Sequence, residues 1–188
     1  QGIQFEINSP SLISGPIGFS TNADPGVSPA GWVLTPNLNL PSNAINAELM
    51  MVEDGTPGIN PEANPISQEG CYPLISNLTG KIAVIWRNTC QFGEKILNAE
   101  KAGAVGVIII NRESGLFNMA PGDSGAVCTI PAIFIENADG VIIANEMQNS
   151  PVTAFIGTNP NGNAEGCDSV VSLDLTINYS TTGIDLIT

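Results

Sequence analysis

Histidine is absent from the 188-residue chain, and five basic residues stand against 18 acidic ones, which gives a formal net charge of −13. The absence of histidine excludes Ser-His-Asp and Cys-His nucleophile systems, HExxH zinc sites and imidazole proton shuttles, because each needs an imidazole ring. The excess of negative charge argues against nucleic acid and acidic lipid surfaces as partners. Most hydrolase mechanisms are thereby excluded, and we expect no nucleic-acid binding.

Long apolar runs are also missing. The richest run, residues 103–110, is far shorter than the roughly 20 residues of a membrane-spanning helix, so no membrane insertion is expected. A hydrophobic fraction of 43% with 12% charged residues is typical of a folded chain that buries one sizeable core. The chain begins at Gln1 without an initiator methionine or a cationic leader, and we expect a trimmed chain or a mature product of signal peptidase.

The chain has four cysteines, at positions 71, 90, 128 and 167, with no CxxC pair and no histidine to complete a zinc site. An even number of cysteines and few lysines favour two disulfides in an oxidising compartment, and three pairings are open. The alternative is four buried free thiols in a cytosolic core. We therefore expect a secreted protein or one of the extracellular surface.

Short motifs suggest two further kinds of site. Asn77 and Asn178 each begin an N-x-S/T sequon and are candidate glycosylation sites. Side-chain oxygens recur around Gly162 as in a weak calcium loop, at Asn159, Asn161, Asn163 and Asp168. A plain Asn-Gly turn is the favoured interpretation, so no metal or other cofactor is expected.

All five basic residues lie between positions 81 and 112, beside only two acidic ones. Five cations and two carboxylates give this window a charge of +3, which leaves −16 for the rest of the chain. The pattern predicts a local positive site in an acidic body. For Lys95 and Lys101 the favoured alternative is pairing with the neighbouring Glu94 and Glu100 on an exposed helix face.

The spacing of apolar residues predicts buried strands over residues 81–86, 106–110 and 130–135. A helix is predicted over 92–102, and strand, helix and strand in about 30 residues make a right-handed crossover between parallel strands. A second helix is predicted from Asn137, as its N-cap, to about residue 147, with Asp139 in its first turn. Residues 45–53 are compatible with another strand, and residues 54–70 with a long polar loop.

Several motifs between residues 70 and 147 occur together in one order. They are Gly70-Cys71-Tyr72-Pro73, GKIAVI at 80–85, RNTCQF at 87–92, Lys95 with Asn98-Ala99 and Ala102-Gly103-Ala104, GVIIIN at 106–111, Met119, and IPA at 130–132 through Ile135 and Gly140. In this combination residues 80–147 resemble the protease-associated (PA) domain family. One departure is Asn88, where the family's turn has glycine; asparagine tolerates a positive φ, so we expect the turn to survive.

The resemblance implies an α/β architecture, the swivelling β/β/α fold, with a parallel central sheet, a second antiparallel sheet and two flanking helices on one side. It divides the chain into an N-terminal strand and arm (1–26), a PA-type domain (27–157, clearest over 70–147) and a C-terminal extension (158–188). It also implies a non-catalytic module, found within or beside secreted proteases and sorting receptors, that binds peptides or proteins or restricts substrate access.

By the same resemblance, the 87–91 turn and the 112–128 loop flank a ligand groove, with Arg87, Asn88, Thr89, Gln91 and Arg112 as candidate ligand-binding residues. An acidic side chain or a carboxylate of a peptide is expected to meet one of the arginines. The alternative is that Arg87 only anchors the turn by bonding backbone carbonyls. The resemblance favours disulfides Cys71–Cys90, if residues 71–80 fold back, and Cys128–Cys167.

Two segments alternate strictly between apolar and polar residues, at positions 3–7 and 171–179, and each is read as an amphipathic strand. They either pair with each other in a monomer, which is the favoured outcome, or add to the sheet edge of a neighbouring copy and form a homo-oligomer. The alternative function is accordingly a structural subunit of an extracellular polymer or filament. A hydrolase that uses carboxylates only is a third, disfavoured hypothesis.

Overall fold

The computed structural model of the protein describes residues 2–9 and 17–159. In chain order the elements are β1 (Gln4–Asn8), β2 (Phe19–Thr21), β3 (Ile45–Met51), β4 (Ile82–Trp86), α1 (Phe92–Lys101), β5 (Gly106–Ile110), β6 (Ala132–Ile135), α2 (Asn137–Asn149) and β7 (Thr153–Gly157). Single 3-10 turns lie at Pro41–Asn43, Ile66–Gln68 and Gly125–Val127. No helix in these two ranges is long and apolar enough to cross a bilayer.

The predicted central strands are confirmed. The parallel strands β4, β5 and β6 are buried at every position, because side chains on both of their faces are covered by other elements. Their continuous apolar sequences follow from this two-sided burial. The predicted strand–helix–strand unit is β4, α1 and β5.

The antiparallel part of the sheet begins on β3. The first half of β3, residues 45–48, pairs antiparallel with β7, whereas residues 49–51 pair parallel with β4. The strand β1 then pairs antiparallel with β7, and β2 with β6, so that the order is β1-β7-β3-β4-β5-β6-β2. This mixed sheet with two helices confirms the predicted fold class.

The two helices cover opposite faces of the sheet, so the expectation of helices on one side is wrong. Ile96 and Ala99 of α1 pack with Ile85 and Ile109 on one face, here called the α1 face. Ile143 of α2 packs on the opposite face, the α2 face, with a second set that includes Val84, Ile108 and Ile133. The reason is connectivity: α2 carries the chain from β6 back across the sheet to β7 and occupies the face that α1 leaves free.

The start of α2 also differs from the prediction. The helix begins at Asn137, with Glu136 as its N-cap and without a side-chain capping hydrogen bond. The side-chain Nδ2 of Asn137 instead donates to the backbone oxygen of Asn111, 2.9 Å away, and this hydrogen bond joins α2 to the end of β5. Asp139 does lie in the first turn, as predicted.

Candidate functional site

The candidate site lies at the carboxyl edge of the parallel strands. Because β4 and β5 run parallel, the 87–91 turn that follows β4 and the loop that follows β5 leave the sheet at the same edge. Arg87 is tied to this edge by its backbone N–H, which donates to Ile110 O over 2.8 Å. The site is therefore assembled by sheet register from two separate loops.

Arg87 is held by side chains. The alternative hypothesis, in which it bonds backbone carbonyls of the turn, is therefore wrong. Arg87 Nη1 donates to Asn111 Oδ1 over 2.8 Å and to Glu113 Oε1 over 3.1 Å. Its guanidinium carbon lies 4.8 Å from the centre of the Phe117 ring, a cation–π geometry. The side chain is 19% exposed, so most of it is covered and a part remains accessible at the rim of the site.

Arg112 joins Arg87 through a shared carboxylate. Arg112 Nε lies 3.7 Å from Glu113 Oε1, the same oxygen that accepts from Arg87. Arg112 is 41% exposed and Glu113 60% exposed, so both remain accessible to solvent. Two of the predicted residues are thus brought together, but Glu113, which the sequence analysis missed, partly neutralises them. The position of Glu113 directly after Arg112 in the sequence is the signal that could have indicated this ion pair.

Asn88 and Thr89 donate hydrogen bonds to the loop before β4. Asn88 Nδ2 donates to Glu62 Oε2 over 3.1 Å. The N–H and hydroxyl of Thr89 donate to Glu69 Oε2 over 3.3 and 2.9 Å. Asn88 has no positive φ, since Ala63 alone among the described non-glycine residues adopts one, so the turn needs no glycine there.

Gln91 connects the turn to the loop before β6. Its Oε1 accepts from the N–H of Asp123 over 2.8 Å. Gly122, with a φ of +58°, lies so close that a Cβ there would stand 2.2 Å from the same oxygen. Gln91 therefore fixes the position of this loop relative to the turn.

The predicted disulfide Cys71–Cys90 is confirmed, with the two Cα atoms 5.6 Å apart. It ties the segment before β4 to the turn after β4, which requires residues 71–80 to fold back along the strand. Cys128 is a buried thiol whose Sγ lies 3.4 Å from Gly93 O, and burial raises its pKa to about 11. Its predicted partner, Cys167, lies outside the described residues, and that pairing stays a prediction.

Lys95 is fully buried beneath the disulfide, so its assignment to an exposed ion pair is wrong. Its ammonium group donates to Glu69 O and Trp86 O and lies 3.6 Å from Cys71 Sγ. Burial lowers the pKa of Lys95 to about 8, and the nearby carboxylate of Glu69 offsets part of this shift. The helix face that carries Lys95 is covered by the 69–71 segment, which helical spacing alone does not reveal.

Glu69 is the centre of the network that supports the turn. Its side chain is 1% exposed and accepts hydrogen bonds from Thr89 and from Asn60 Nδ2, the latter over 3.0 Å. Its backbone oxygen accepts from Lys95. The carboxylate of Glu69 thus joins the 60–70 loop to the turn, and its backbone oxygen joins both to α1.

The remaining predicted sites are only partly within the described residues. Asn77 is exposed, and its Oδ1 accepts from the N–H and hydroxyl of Thr79. Asn178 lies outside, as do Asn161, Asn163 and Asp168 of the calcium candidate, of which Asn159 alone is described. Within residues 2–9 and 17–159 no cluster of three Cys, Asp or Glu residues is arranged to hold a metal ion.

Comparison with known proteins gives a match to the PA domain family over residues 45–143. Signal peptide peptidase-like 2 of Arabidopsis thaliana is 33% identical over 90 residues, which cover 47% of this chain and 16% of that protein. ER degradation-enhancing alpha-mannosidase-like protein 3 of Xenopus laevis is 36% identical over 104 residues, 50% of this chain and 11% of that protein. A C5a peptidase of Streptococcus pyogenes is 39% identical over 74 residues, 39% and 6% respectively.

Among solved structures, an aminopeptidase from Aneurinibacillus sp. strain AM-1 is similar with a TM-score of 0.51 and 24% identity. The likeness covers 82% of this chain and 32% of that one, and at this identity it concerns the fold alone. The chain therefore spans a small part of the curated relatives and about a third of the solved aminopeptidase.

Proposed function

The chain belongs to the PA domain family, and from this premise we propose that it is a non-catalytic binding module for peptide or protein segments within a larger extracellular protein. The observation that carries the proposal is the pair of arginines at the carboxyl edge, which share the exposed carboxylate of Glu113. An acidic residue of a partner segment takes the place of this internal carboxylate. Binding is thus an exchange of one carboxylate for another on a prepared pair of cations.

The support beneath the arginines favours binding over chemistry. The turn is held in place by Glu69, the Cys71–Cys90 disulfide and Lys95. The Lys95 amine has a lowered pKa, but it is buried away from solvent. A rigid turn presents its donors without an ordering cost when a ligand binds. The disulfide also supports an extracellular setting, since such bonds persist in oxidising compartments.

The proposal is tested by calorimetric titration with acetyl-Ala-Asp-Ala-amide, with acetyl-Ala-Asn-Ala-amide as the neutral control. We expect Arg87→Ala to weaken binding of the acidic peptide by roughly 10- to 100-fold, as for loss of a charge-assisted hydrogen bond. Glu113→Gln removes the internal competitor and is expected to tighten binding by up to about fivefold, because an exposed ion pair contributes little. Lys101→Ala, which removes an exposed cation from α1, is the matched control.

Two outcomes would contradict this assignment. One is an Arg87→Ala protein that binds the acidic peptide as tightly as the wild type. The other is equal affinity for the acidic and the neutral peptide. Higher salt should weaken the binding, because exposed charges are screened over about 8–10 Å.

A second candidate function is the filament subunit. The observation that favours it is the position of β1 at the end of the sheet, where among the described strands only β7 pairs with it. An unpaired strand edge is a template for another chain. Light scattering of the concentrated protein separates the two functions, because a binding module stays monomeric and a strand-exchange subunit forms multimers.

A further inference from the structure

A cavity of about 600 Å³ lies on the α2 face, between the carboxyl ends of β3 and β4, residues 63–65 and α2. We infer that it binds an uncharged peptide segment that inserts one large apolar side chain. The inference rests on the proposed binding function but concerns a different surface, because Arg87 turns towards Phe117, which packs on the α1 face. The volume falls in the range of specific ligand sites.

The lining of the cavity carries no charge. None of the residues around it is acidic or basic, in a chain with 18 carboxylates. A charged side chain placed there would lose its hydration without gaining a counter-charge. The cavity therefore selects an uncharged occupant, in contrast to the arginine pair on the other face.

Part of the cavity lining is apolar and adaptable. Trp86, Leu49 and Met51 come from the strands, and Val141 and Met147 from α2. Methionine side chains fill irregular spaces and adjust to the shape of a ligand. Such a lining fits a leucine- or phenylalanine-sized side chain, which is the usual anchor of a peptide in a pocket.

The rim of the cavity offers free amides. Within the described residues the side chains of Asn64, Asn145 and Gln148 make no hydrogen bond, although all three line the cavity. Gln68, in contrast, is committed, because it accepts from Trp86 Nε1 over 3.2 Å. A side-chain amide has both donors and an acceptor, so it complements the N–H and C=O groups of a peptide backbone.

Residues 63–65 form the wall of the cavity opposite α2, and the backbone of this wall is strained at one position. Ala63 has a φ of +63°, which is unfavourable for a residue with a side chain. Asn60 holds this conformation, since its Oδ1 accepts from the N–H groups of Glu62 and Asn64. Asn60 is in turn fixed by Glu69, so the wall is positioned before any ligand arrives.

The test uses the full chain labelled with ¹³C at the methionine methyl groups. Met51 and Met147 line the cavity, whereas Met119 is fully buried on the α1 face and serves as the internal control. Addition of acetyl-Ala-Leu-Ala-amide is expected to shift the first two resonances with a dissociation constant of about 1 mM or below. Acetyl-Ala-Glu-Ala-amide and its lysine counterpart should leave them unchanged.

Blocking variants locate the site. Asn145→Trp and Gln148→Trp both add bulk on the α2 side of the rim and should each weaken binding of the leucine peptide by at least about tenfold. Ile142→Trp, exposed on the same helix but outside the lining, is the matched control and should bind as the wild type does. An unchanged Met119 resonance shows that each variant is folded.

The inference would be overturned if about 10 mM leucine peptide caused no shift, or if the charged peptides caused equal shifts. It would also be overturned if the shifts persisted in both blocking variants, or if maltose, an uncharged compound that is not a peptide, caused the same shifts. Shifts that depend on protein concentration without peptide would mean that a second copy fills the cavity. The proposed function is judged separately. Binding of the aspartate peptide at Arg87 without any effect of the leucine peptide would remove this inference alone, and the reverse result would remove only the arginine site.

Discussion

Replacing Lys95 by methionine should change how the free energy of unfolding depends on pH. In the folded protein the pKa of Lys95 is lowered to about 8 by burial, from an ordinary value of 10.5. Between these two values the folded state has released a proton that the unfolded chain retains. Because the unfolded state then binds more protons, the stability contributed by Lys95 rises with pH through this window.

The size of the effect follows from the shift. A change from 10.5 to about 8 is about 2.5 pKa units, which corresponds to about 3 kcal/mol. Below pH 8 the full cost of burying the ammonium group is present, and it is removed as the pH approaches 10.5. The methionine variant lacks this titration. The difference in unfolding free energy, wild type minus variant, should therefore grow by about 3 kcal/mol from pH 7 to 10.5.

The assay is urea unfolding followed by circular dichroism at pH 7, 8, 9 and 10, with the disulfide kept oxidised. Cys128 titrates in the opposite sense, because its pKa is raised to about 11 from 9.0, but it is present in both proteins and cancels in the difference. Lys101→Met controls for the loss of one positive charge from the same helix. A difference that stays constant within about 0.5 kcal/mol from pH 7 to 10 would refute the reasoning.

Three further predictions concern packing, covalent structure and assembly. Gly140→Ala should lower the unfolding free energy by about 1–3 kcal/mol, because its Cβ would lie 2.0 Å from Ile110 Cγ2; unchanged urea unfolding would show that α2 does not pack so closely on β5. Replacing Cys71 and Cys90 together by alanine should cost about 2–4 kcal/mol in the same assay, and non-reducing peptide mapping should link these two cysteines; a fragment that joins either one elsewhere would contradict the structure. The concentrated protein should be monomeric by light scattering, because β1 pairs with β7 of its own chain at all five positions; multimers that vanish when residues 1–8 are deleted would establish strand exchange instead.

The elements predicted correctly from the sequence are those whose signal is local. The strands β4, β5 and β6 are continuous apolar runs and α1 has helical spacing, and both patterns are visible within the sequence of the element alone. Asn137 was misassigned because a capping residue and a first helical residue look alike in sequence. Its side-chain amide donates a hydrogen bond to Asn111 O, and this contact depends on the packing of α2 against β5.

The parts of the site that escaped prediction depend on long-range contacts. Lys95 follows Glu94 and has the spacing of an exposed ion pair, but the 69–71 segment folds over it. Glu69 lies in a polar loop and gives no sign of accepting from Thr89, 20 residues away. The cavity likewise joins β3, β4, the 63–65 segment and α2, which are separated along the chain. Only the resemblance to a family placed the arginines at one site.

The most direct test of the proposed non-catalytic binding role is incubation of the full chain with a random heptapeptide pool, followed by filtration and mass spectrometry of the retained and free peptides. We expect peptides with an acidic residue, a large apolar residue or both to be retained with an enrichment of about tenfold. We also expect every peptide to be recovered at its original mass between pH 4 and 9. Truncated peptides, or a retained fraction with the composition of the pool, would contradict the non-catalytic binding role.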